Sequence, residues 1–231
     1  MKVLLINGSP HARGCTATAL GVVANVLEQS GRSSESHQAC LDGRVATDEG
    51  EANGIETETI HVGHKDIRGC IGCGKCRELG RCVFDKDRVN EVATKFREAD
   101  GIVIGSPVYF GAVSGTMTSF LNRLFYSVPA EVKRMKVGAA VVSARRAGTT
   151  ATFDQLNKYF LHGEMPIASS RYWNMVHGNT AEEVLRDEEG LQTMRVLGRN
   201  MAFLIRAIAR EREASGLPET EPTRIATNFI R

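Results

Sequence analysis

This 231-residue sequence lacks any long hydrophobic run, and it has no marked excess of either charge. Apolar stretches such as residues 3–6 are far shorter than the roughly 18 residues that a membrane-spanning helix needs. Lysine and arginine number 29 against 27 aspartates and glutamates, so the net charge of +2 gives no electrostatic reason to expect a nucleic acid or a membrane as partner. No basic, apolar signal segment precedes Asn7, and we therefore expect a cytoplasmic protein.

The composition is otherwise that of an ordinary globular protein, with 42% hydrophobic and 24% charged residues. A chain of this length fits one substantial domain, and we predict that residues 1–231 form a single one. Six cysteines are the unusual feature. Because structural disulfides are rare in a reducing compartment, clustered thiols there indicate a metal site or redox chemistry.

Short apolar runs alternate with segments of helical periodicity along the chain. We predict five strands, at residues 2–6, 55–62, 101–105, 136–142 and 166–175. The last helix is predicted over 181–214, where one apolar stripe recurs at helical spacing. Continuously apolar strands between helices are typical of a parallel α/β sheet that helices cover on both faces. Ligands bind such sheets in the loops beyond the carboxyl ends of the strands.

Three segments do not fit the strand and helix pattern. Residues 31–54 are rich in serine, glycine and acidic side chains, and we predict a polar surface insertion there. Residues 69–87 form a cysteine-rich loop after the second strand. The C-terminal tail, 215–231, has apolar residues without helical spacing, and we predict that it packs on a partner chain.

The loop after the first strand, residues 7–16, leads directly into a helix. A helix amino terminus presents unpaired N–H groups to an anion, and Ser9, Thr16 and Thr18 add hydroxyls while Arg13 adds a cation. The loop lacks the motifs of nucleoside-triphosphate and dinucleotide sites, so a phosphomonoester, as on FMN, fits better. The alternative is a simple turn in which Thr16 caps the helix.

The loops after the third and fourth strands are unusual for turns. Tyr109 and Phe110 offer the flat apolar wall that a flavin ring needs, and the charges of Arg145 and Arg146 would favour a reduced, anionic flavin. The alternative is a pair of solvated arginines on an ordinary turn. The candidate residues in these two loops are Ser106, Pro107, Val108, Tyr109, Phe110, Gly111, Ser143, Arg145, Arg146 and Gly148.

The segments Gly8-Ser9-Pro10 and 106–111, with the loop that begins at Ser143, resemble those of the NADPH-dependent FMN reductases. The resemblance implies a flavodoxin-like, doubly wound sheet of five parallel strands in the order 2-1-3-4-5. It also implies FMN, with NAD(P)H as a possible co-substrate. The implied phosphate ligands are Ser9, Arg13, Thr16 and Thr18, and the implied ring contacts are Pro107, Val108, Tyr109, Phe110 and Gly111.

Four thiols, on Cys70, Cys73, Cys76 and Cys82, lie within thirteen residues and are separated by two, two and five residues. Thiolates so close on one glycine-rich loop can wrap a compact iron–sulfur cluster. Structural zinc more often uses two Cys-x-x-Cys pairs far apart, which makes zinc the weaker alternative, and free thiols are a third.

This spacing resembles that of the iron–sulfur flavoproteins, a branch of the same reductase family. The resemblance implies that the four thiols are ligands of a 4Fe-4S cluster beside FMN. Cys15 in the phosphate loop also resembles that branch, so it joins the candidate cofactor-binding residues. As a simple space-filling thiol it would have no role in binding. Homo-oligomers are usual for such flavoproteins, so a homodimer or homotetramer is implied.

The sequence thus favours an FMN-binding redox enzyme, in which a cluster relays electrons from a ferredoxin-like donor to FMN. The first alternative is an NAD(P)H-dependent FMN or quinone reductase, with a small-molecule donor and a cysteine loop that holds no cluster. The second is a non-catalytic redox sensor that signals through its cysteines. No nucleic-acid-reading motif is present.

Overall fold

The computed structural model describes residues 1–31, 54–221, 225 and 227. The strands are β1 (Lys2–Asn7), β2 (Glu56–His61), β3 (Gly101–Tyr109), β4 (Ala112–Val113), β5 (Val137–Ala144) and β6 (Met175–His177). The helices are α1 (Cys15–Gln29), α2 (Cys76–Leu79), α3 (Val89–Glu98), α4 (Gly115–Ser127), α5 (Ala130–Lys133), α6 (Thr149–His162), α7 (Ala181–Val184) and α8 (Glu188–Ser215).

Five strands form one parallel sheet in the order β2-β1-β3-β5-β6. The short β4 pairs only with the end of β3, and it runs antiparallel. Since β5 and β6 are the fourth and fifth of the parallel strands, the expected order 2-1-3-4-5 is confirmed. In the register of the sheet, Val3 of β1 lies between Thr57 of β2 and Gly101 of β3.

The alternation of side chains along the strands builds two hydrophobic cores, one on each face of the sheet. Leu4 and Ile6 of β1 face the core that α3, α4 and α6 cover. Val3 and Leu5 face the core that α1 and α8 cover. Helices therefore shield both faces of the sheet from solvent, and this explains why the central strands are continuously apolar in sequence.

The chain departs from the predicted elements near the end of the sheet. The fifth strand was predicted at 166–175, but it occupies Met175–His177, because earlier residues make only an isolated bridge between Gly138 and Ile167. The predicted helix 181–214 is two helices, α7 and α8. Asp187 separates them because its carboxylate accepts the backbone N–H of Gly190 at 2.9 Å and caps α8.

The predicted insertion, 31–54, lies outside the described residues except for its two end residues. The same holds for most of the tail beyond residue 221, so these assignments and the single-domain assignment stay predictions. Within the part of the chain that the structure describes, no helix is long and apolar enough to cross a membrane.

Two helical glycines make a matched pair for testing the packing of α1 against α8. A Cβ on Gly198 of α8 would lie 2.8 Å from Val26 Cβ of α1, whereas a Cβ on Gly21 of α1 would meet nothing within 4 Å. We expect Gly198→Ala to lower the free energy of unfolding, because overpacking costs about 1–3 kcal/mol and outweighs the gain in helix propensity. Gly21→Ala should raise it by about 0.5–1 kcal/mol. Urea denaturation measures both, and stabilisation by Gly198→Ala would contradict the close helix contact.

Candidate functional site

The carboxyl ends of β1, β3 and β5 meet at one edge of the sheet. Asn7 pairs with Gly105, and Pro107 pairs with Ser143, so the loops that follow these strands start side by side. The backbone N–H of Gly8 also donates to the carbonyl of Gly105 at 2.8 Å. The structure therefore brings together the three loops that the sequence singled out.

The loop after β1 is held from several sides. The Ser9 backbone N–H donates to Asn7 Oδ1 at 3.0 Å, and the Ser9 carbonyl lies 2.7 Å from His61 Nε2. Ser114 Oγ donates to the carbonyl of Gly8 at 2.9 Å. Sequence reasoning missed His61, although it stands at the end of β2 beside this loop. The loop is therefore held in place by hydrogen bonds within the chain.

The amino terminus of α1 is open to an anion. Its N-cap residue is Gly14, no side chain caps the helix, and its first turn contains no acidic residue. The hydroxyl of Thr16 instead hydrogen-bonds to Ser143 Oγ at 2.8 Å, and both side chains are buried. The alternative in which Thr16 caps the helix is therefore wrong. The unpaired N–H groups of the first turn remain available to a phosphate.

The other candidates on this loop differ in position. Arg13 is exposed at the surface, and the Thr18 hydroxyl donates to the carbonyl of Gly14 at 3.3 Å. Cys15 Sγ turns away towards the carbonyl of Gly178, at 3.4 Å. Partial burial raises the pKa of the Cys15 thiol, and the nearby Glu183 adds to the effect. This environment suits a packed thiol rather than a reactive one.

The predicted third strand ended at residue 105, but β3 continues to Tyr109 and turns back through β4. The two residues at the tip, Phe110 and Gly111, have φ values of 52° and 75°, which matches a type I′ turn. A phenylalanine in this left-handed region is strained. The Phe110 side chain is fully exposed and that of Tyr109 is half-exposed, so the hairpin holds two aromatic rings outside the core.

The loop after β5 lies against this hairpin. Gly148 has a φ of 88°, and a Cβ there would lie 2.9 Å from Val108 Cγ1 and 3.0 Å from Gly111 Cα. Arg145 and Arg146, on the same loop, are exposed. The backbones of the hairpin and of this loop thus lie in close contact, with two exposed aromatic rings at their edge. Close backbone approach and aromatic side chains are features that fit a flavin ring.

The cysteine loop leaves the sheet and runs along α4. Cys76 begins the short helix α2, and Gly80 ends that helix in a left-handed conformation with a φ of 64°. Although the four thiols span thirteen residues, all of them line one small cavity. Besides the four cysteines, this cavity is lined by Ile71, Gly74, Val83, Phe84, Arg123, Tyr126 and Ser127.

The cavity closes against a buried cation, Arg123, which lies on the core side of α4. Its guanidinium forms an ion pair with Asp87 and donates to the carbonyl of Phe84 at 2.8 Å. Its Nε donates to Cys82 Sγ at 3.3 Å. Sequence reasoning missed this residue, although a charged position beside the apolar positions Phe120 and Leu124 was a visible signal.

The thiols around the cavity lie close enough to affect one another's ionisation. Partial burial raises the pKa of the Cys76 thiol, and the neighbouring thiols Cys73, Cys82 and Cys70 act in the same direction. Positive charge from bound iron would favour the thiolates. In the described residues no three cysteine, histidine or acidic side chains gather around a single metal ion. A cluster has several irons, each with its own thiolate, so it needs ligands spread around a cavity.

Helix α4 connects the two sites. It starts at Gly115, directly after Ser114, whose hydroxyl donates to the loop after β1. It reaches the cysteine cavity at Arg123 and Tyr126. At 1.5 Å per residue, the two ends of this segment are about 12–17 Å apart. The candidate flavin edge and the thiol cavity of one chain are therefore separate sites.

A parallel sheet of this order, with its loops gathered at the strand carboxyl ends, defines a flavodoxin-like protein. The chain belongs to the NADPH-dependent FMN reductase family, whose model matches residues 1–180. It is a flavin-dependent oxidoreductase, and its cofactor is FMN.

Several proteins are similar to this chain. An iron–sulfur flavoprotein of Methanocaldococcus jannaschii is 32% identical over 91% of this chain and 100% of its own length. An iron–sulfur flavoprotein of Methanosarcina thermophila is 29% identical over 73% of this chain and 88% of its own. The solved structure of RosB, with a bound riboflavin-phosphate derivative, covers 100% of this chain and 94% of its own at a TM-score of 0.65 and 16% identity. That last likeness shows the fold alone.

The close backbone contact around Gly148 yields a test of the flavin edge. We expect Gly148→Ala to weaken FMN binding roughly tenfold, since a left-handed alanine costs about 1–3 kcal/mol and its Cβ would push the hairpin outward. Ala147→Ser is the matched control, because residue 147 is exposed on the same loop. Fluorescence titration of the apoprotein with FMN measures both affinities. Equal FMN affinity in Gly148→Ala and the wild-type protein would remove this loop from the flavin site.

Proposed function

We propose that this protein is an iron–sulfur flavoprotein that relays single electrons from a ferredoxin-like donor through a 4Fe-4S cluster to FMN. The cavity lined by Cys70, Cys73, Cys76 and Cys82 is the observation that carries this proposal. The names of the relatives support it, since the two similar proteins described above, from Methanocaldococcus jannaschii and Methanosarcina thermophila, are iron–sulfur flavoproteins. Zinc is the weaker alternative because structural zinc more often uses two Cys-x-x-Cys pairs that lie far apart in sequence.

The residues at the sheet edge have separate roles in this proposal. The open first turn of α1, with Ser9, Arg13 and Thr18, binds the FMN phosphate. Thr16 holds Ser143 and so fixes the loop after β5 against the first loop. Bound FMN supplies the step from one-electron to two-electron chemistry.

The ring edge is proposed to lie along the β3–β4 hairpin. Residues 107–111 and Gly148 supply close backbone approach, and Tyr109 and Phe110 flank the ring. Arg145 and Arg146 are exposed next to this edge, so their positive charges would favour the reduced, anionic ring. Cys15 has no proposed role towards FMN, because its thiol turns away to Gly178.

The surface around the cysteine cavity suits a protein donor of negative charge. Lys75, Arg77 and Arg81 are exposed on the cysteine loop, beside the exposed apolar side chains of Ile71 and Leu79. A basic rim steers an acidic redox protein to the surface, and the apolar contacts then hold it there. This supports donation through the thiol cavity.

Direct reduction of FMN by NAD(P)H is a second candidate function. The family name favours it, and so does the hairpin, because the exposed Tyr109 and Phe110 leave the edge accessible from solvent. A nicotinamide can stack on an accessible flavin face without a separate binding motif. A homodimer or homotetramer and a cytoplasmic location stay predictions from the sequence.

A single variant separates the relay from direct reduction. In protein purified without air, Cys73→Ala should lose iron and sulfide but keep FMN, because the thiol cavity and the flavin edge lie at different ends of α4. Reduced ferredoxin should then fail to bleach the flavin in the variant, while dithionite still bleaches it. Metal and sulfide analysis with anaerobic stopped-flow spectroscopy measures both effects.

Cys15→Ala is the control for this experiment, since that thiol does not line the cavity. It should keep full iron and sulfide. Absence of iron and sulfide from wild-type protein never exposed to air would contradict the relay. Bleaching by NADPH at equal rates in the wild-type and Cys73→Ala proteins, with no reduction by ferredoxin, would establish the second function instead.

A further inference from the structure

Cys82 is held more firmly than the other three thiols. Its backbone N–H donates to Asn90 Oδ1 at 2.9 Å, and Asn90 Nδ2 donates back to the Cys82 carbonyl at 3.0 Å. Its sulfur accepts the Nε–H of Arg123 at 3.3 Å. By contrast, Cys70 and Cys73 are exposed on the glycine-rich part of the loop. Cys82 therefore has a fixed position and a fixed hydrogen-bond donor.

Arg123 has little freedom to leave that sulfur. Its side chain is fully buried, and the ion pair with Asp87 holds one end of the guanidinium fork. The Phe84 carbonyl accepts a second N–H at 2.8 Å, and the Phe84 ring centroid lies 5.4 Å from the guanidinium carbon. A guanidinium stays protonated in proteins, so Cys82 faces a permanent cation.

We propose that Arg123 is a positioning residue that raises the reduction potential of the cluster through its charged hydrogen bond to Cys82. Reduction adds negative charge to the cluster and its sulfur ligands. A fixed cationic donor stabilises that added charge more strongly than it stabilises the oxidised state. Hydrogen bonds to the sulfurs are among the factors that set cluster potentials. This inference rests on the proposed function, because it requires a cluster on these thiols.

The other thiols lack an equivalent contact. Cys70 Sγ accepts only the neutral backbone N–H of Gly72, at 3.5 Å, and Cys76 Sγ lies 3.7 Å from the Tyr126 carbonyl. Among the hydrogen bonds that the structure shows for the four thiols, only that of Cys82 comes from a charged side chain. Substitution of Arg123 should therefore act on one identified ligand.

Arg123→Lys keeps a positive charge beside Asp87. It removes the guanidinium, whose Nε–H donates to Cys82 while another of its nitrogens pairs with Asp87. Arg97→Lys is the matched control, because Arg97 is an exposed arginine that donates to the Gly80 carbonyl of the same loop at 2.8 Å and contacts no thiol. Both proteins are purified without air as holoproteins. Spectroelectrochemical titration then gives the potentials of the cluster and of FMN in the same sample.

We expect Arg123→Lys to shift the cluster to a more negative potential and to leave the FMN potential unchanged. Arg97→Lys should change neither potential. A full complement of iron and sulfide with an unchanged cluster potential in Arg123→Lys would overturn the inference. Absence of iron and sulfide from the wild-type protein would instead overturn the proposed function itself.

A measurement on the wild-type protein keeps the inference testable if Arg123→Lys fails to fold. The protein is produced with arginine labelled with nitrogen-15, and pulsed electron–nuclear double resonance is recorded on its reduced cluster. A nitrogen coupling from arginine is expected, since Nε lies 3.3 Å from the Cys82 sulfur. Its absence from a reduced, intact cluster would overturn the inference.

Discussion

The parallel pairing of β1 between β2 and β3 is the constraint on which the rest of this structure depends. It sets Asn7 beside Gly105 and His61, and the pairing of β3 with β5 adds Ser143 beside Pro107, so that the loops after β1, β3 and β5 start at one edge of the sheet. Hydrophobic cores on both faces fix this register, because a shift by one residue would exchange the side chains that the strand contributes to the two cores. The candidate flavin edge is thus a consequence of sheet topology, and its loops supply only the local chemistry.

Helix α4 extends the same logic to the cysteine loop. Its first turn follows Ser114 at the flavin edge, and its last turn closes the thiol cavity. Arg123 is the unusual element, since a buried charge is costly unless it is paired and hydrogen-bonded. Asp87, the Phe84 carbonyl and the Cys82 sulfur together satisfy it. A cation kept in the core at this cost is consistent with a role at the thiols beyond packing.

Much of this arrangement was predictable because its signals are local. Apolar runs marked the strands, and the loop compositions marked the flavin edge. The spacing from Cys70 to Cys82 marked the thiol cavity, since the four cysteines that line it lie on one short segment. The predicted sheet order was confirmed, and so were membership of the family and the FMN cofactor.

The features that sequence reasoning missed depend on long-range contacts or on competing local bonds. Arg123 meets Cys82 across 41 residues, and Thr16 meets Ser143 across 127, so neither pair leaves a local pattern. The break before α8 arises because the Asp187 carboxylate caps the later helix, and the apolar stripe that predicted one long helix lies within α8. The extension of β3 to Tyr109 depends on its pairing with β4, which positive φ values at the hairpin tip permit.

The proposed cluster requires that one cavity at the end of α4 holds iron on four thiols, apart from the flavin edge. The most direct test is anomalous diffraction across the iron absorption edge, from crystals of protein purified and grown without air. We expect a strong iron signal among Cys70, Cys73, Cys76 and Cys82, next to Arg123. A zinc signal in that cavity, or no metal signal there in crystals that contain FMN, would contradict it.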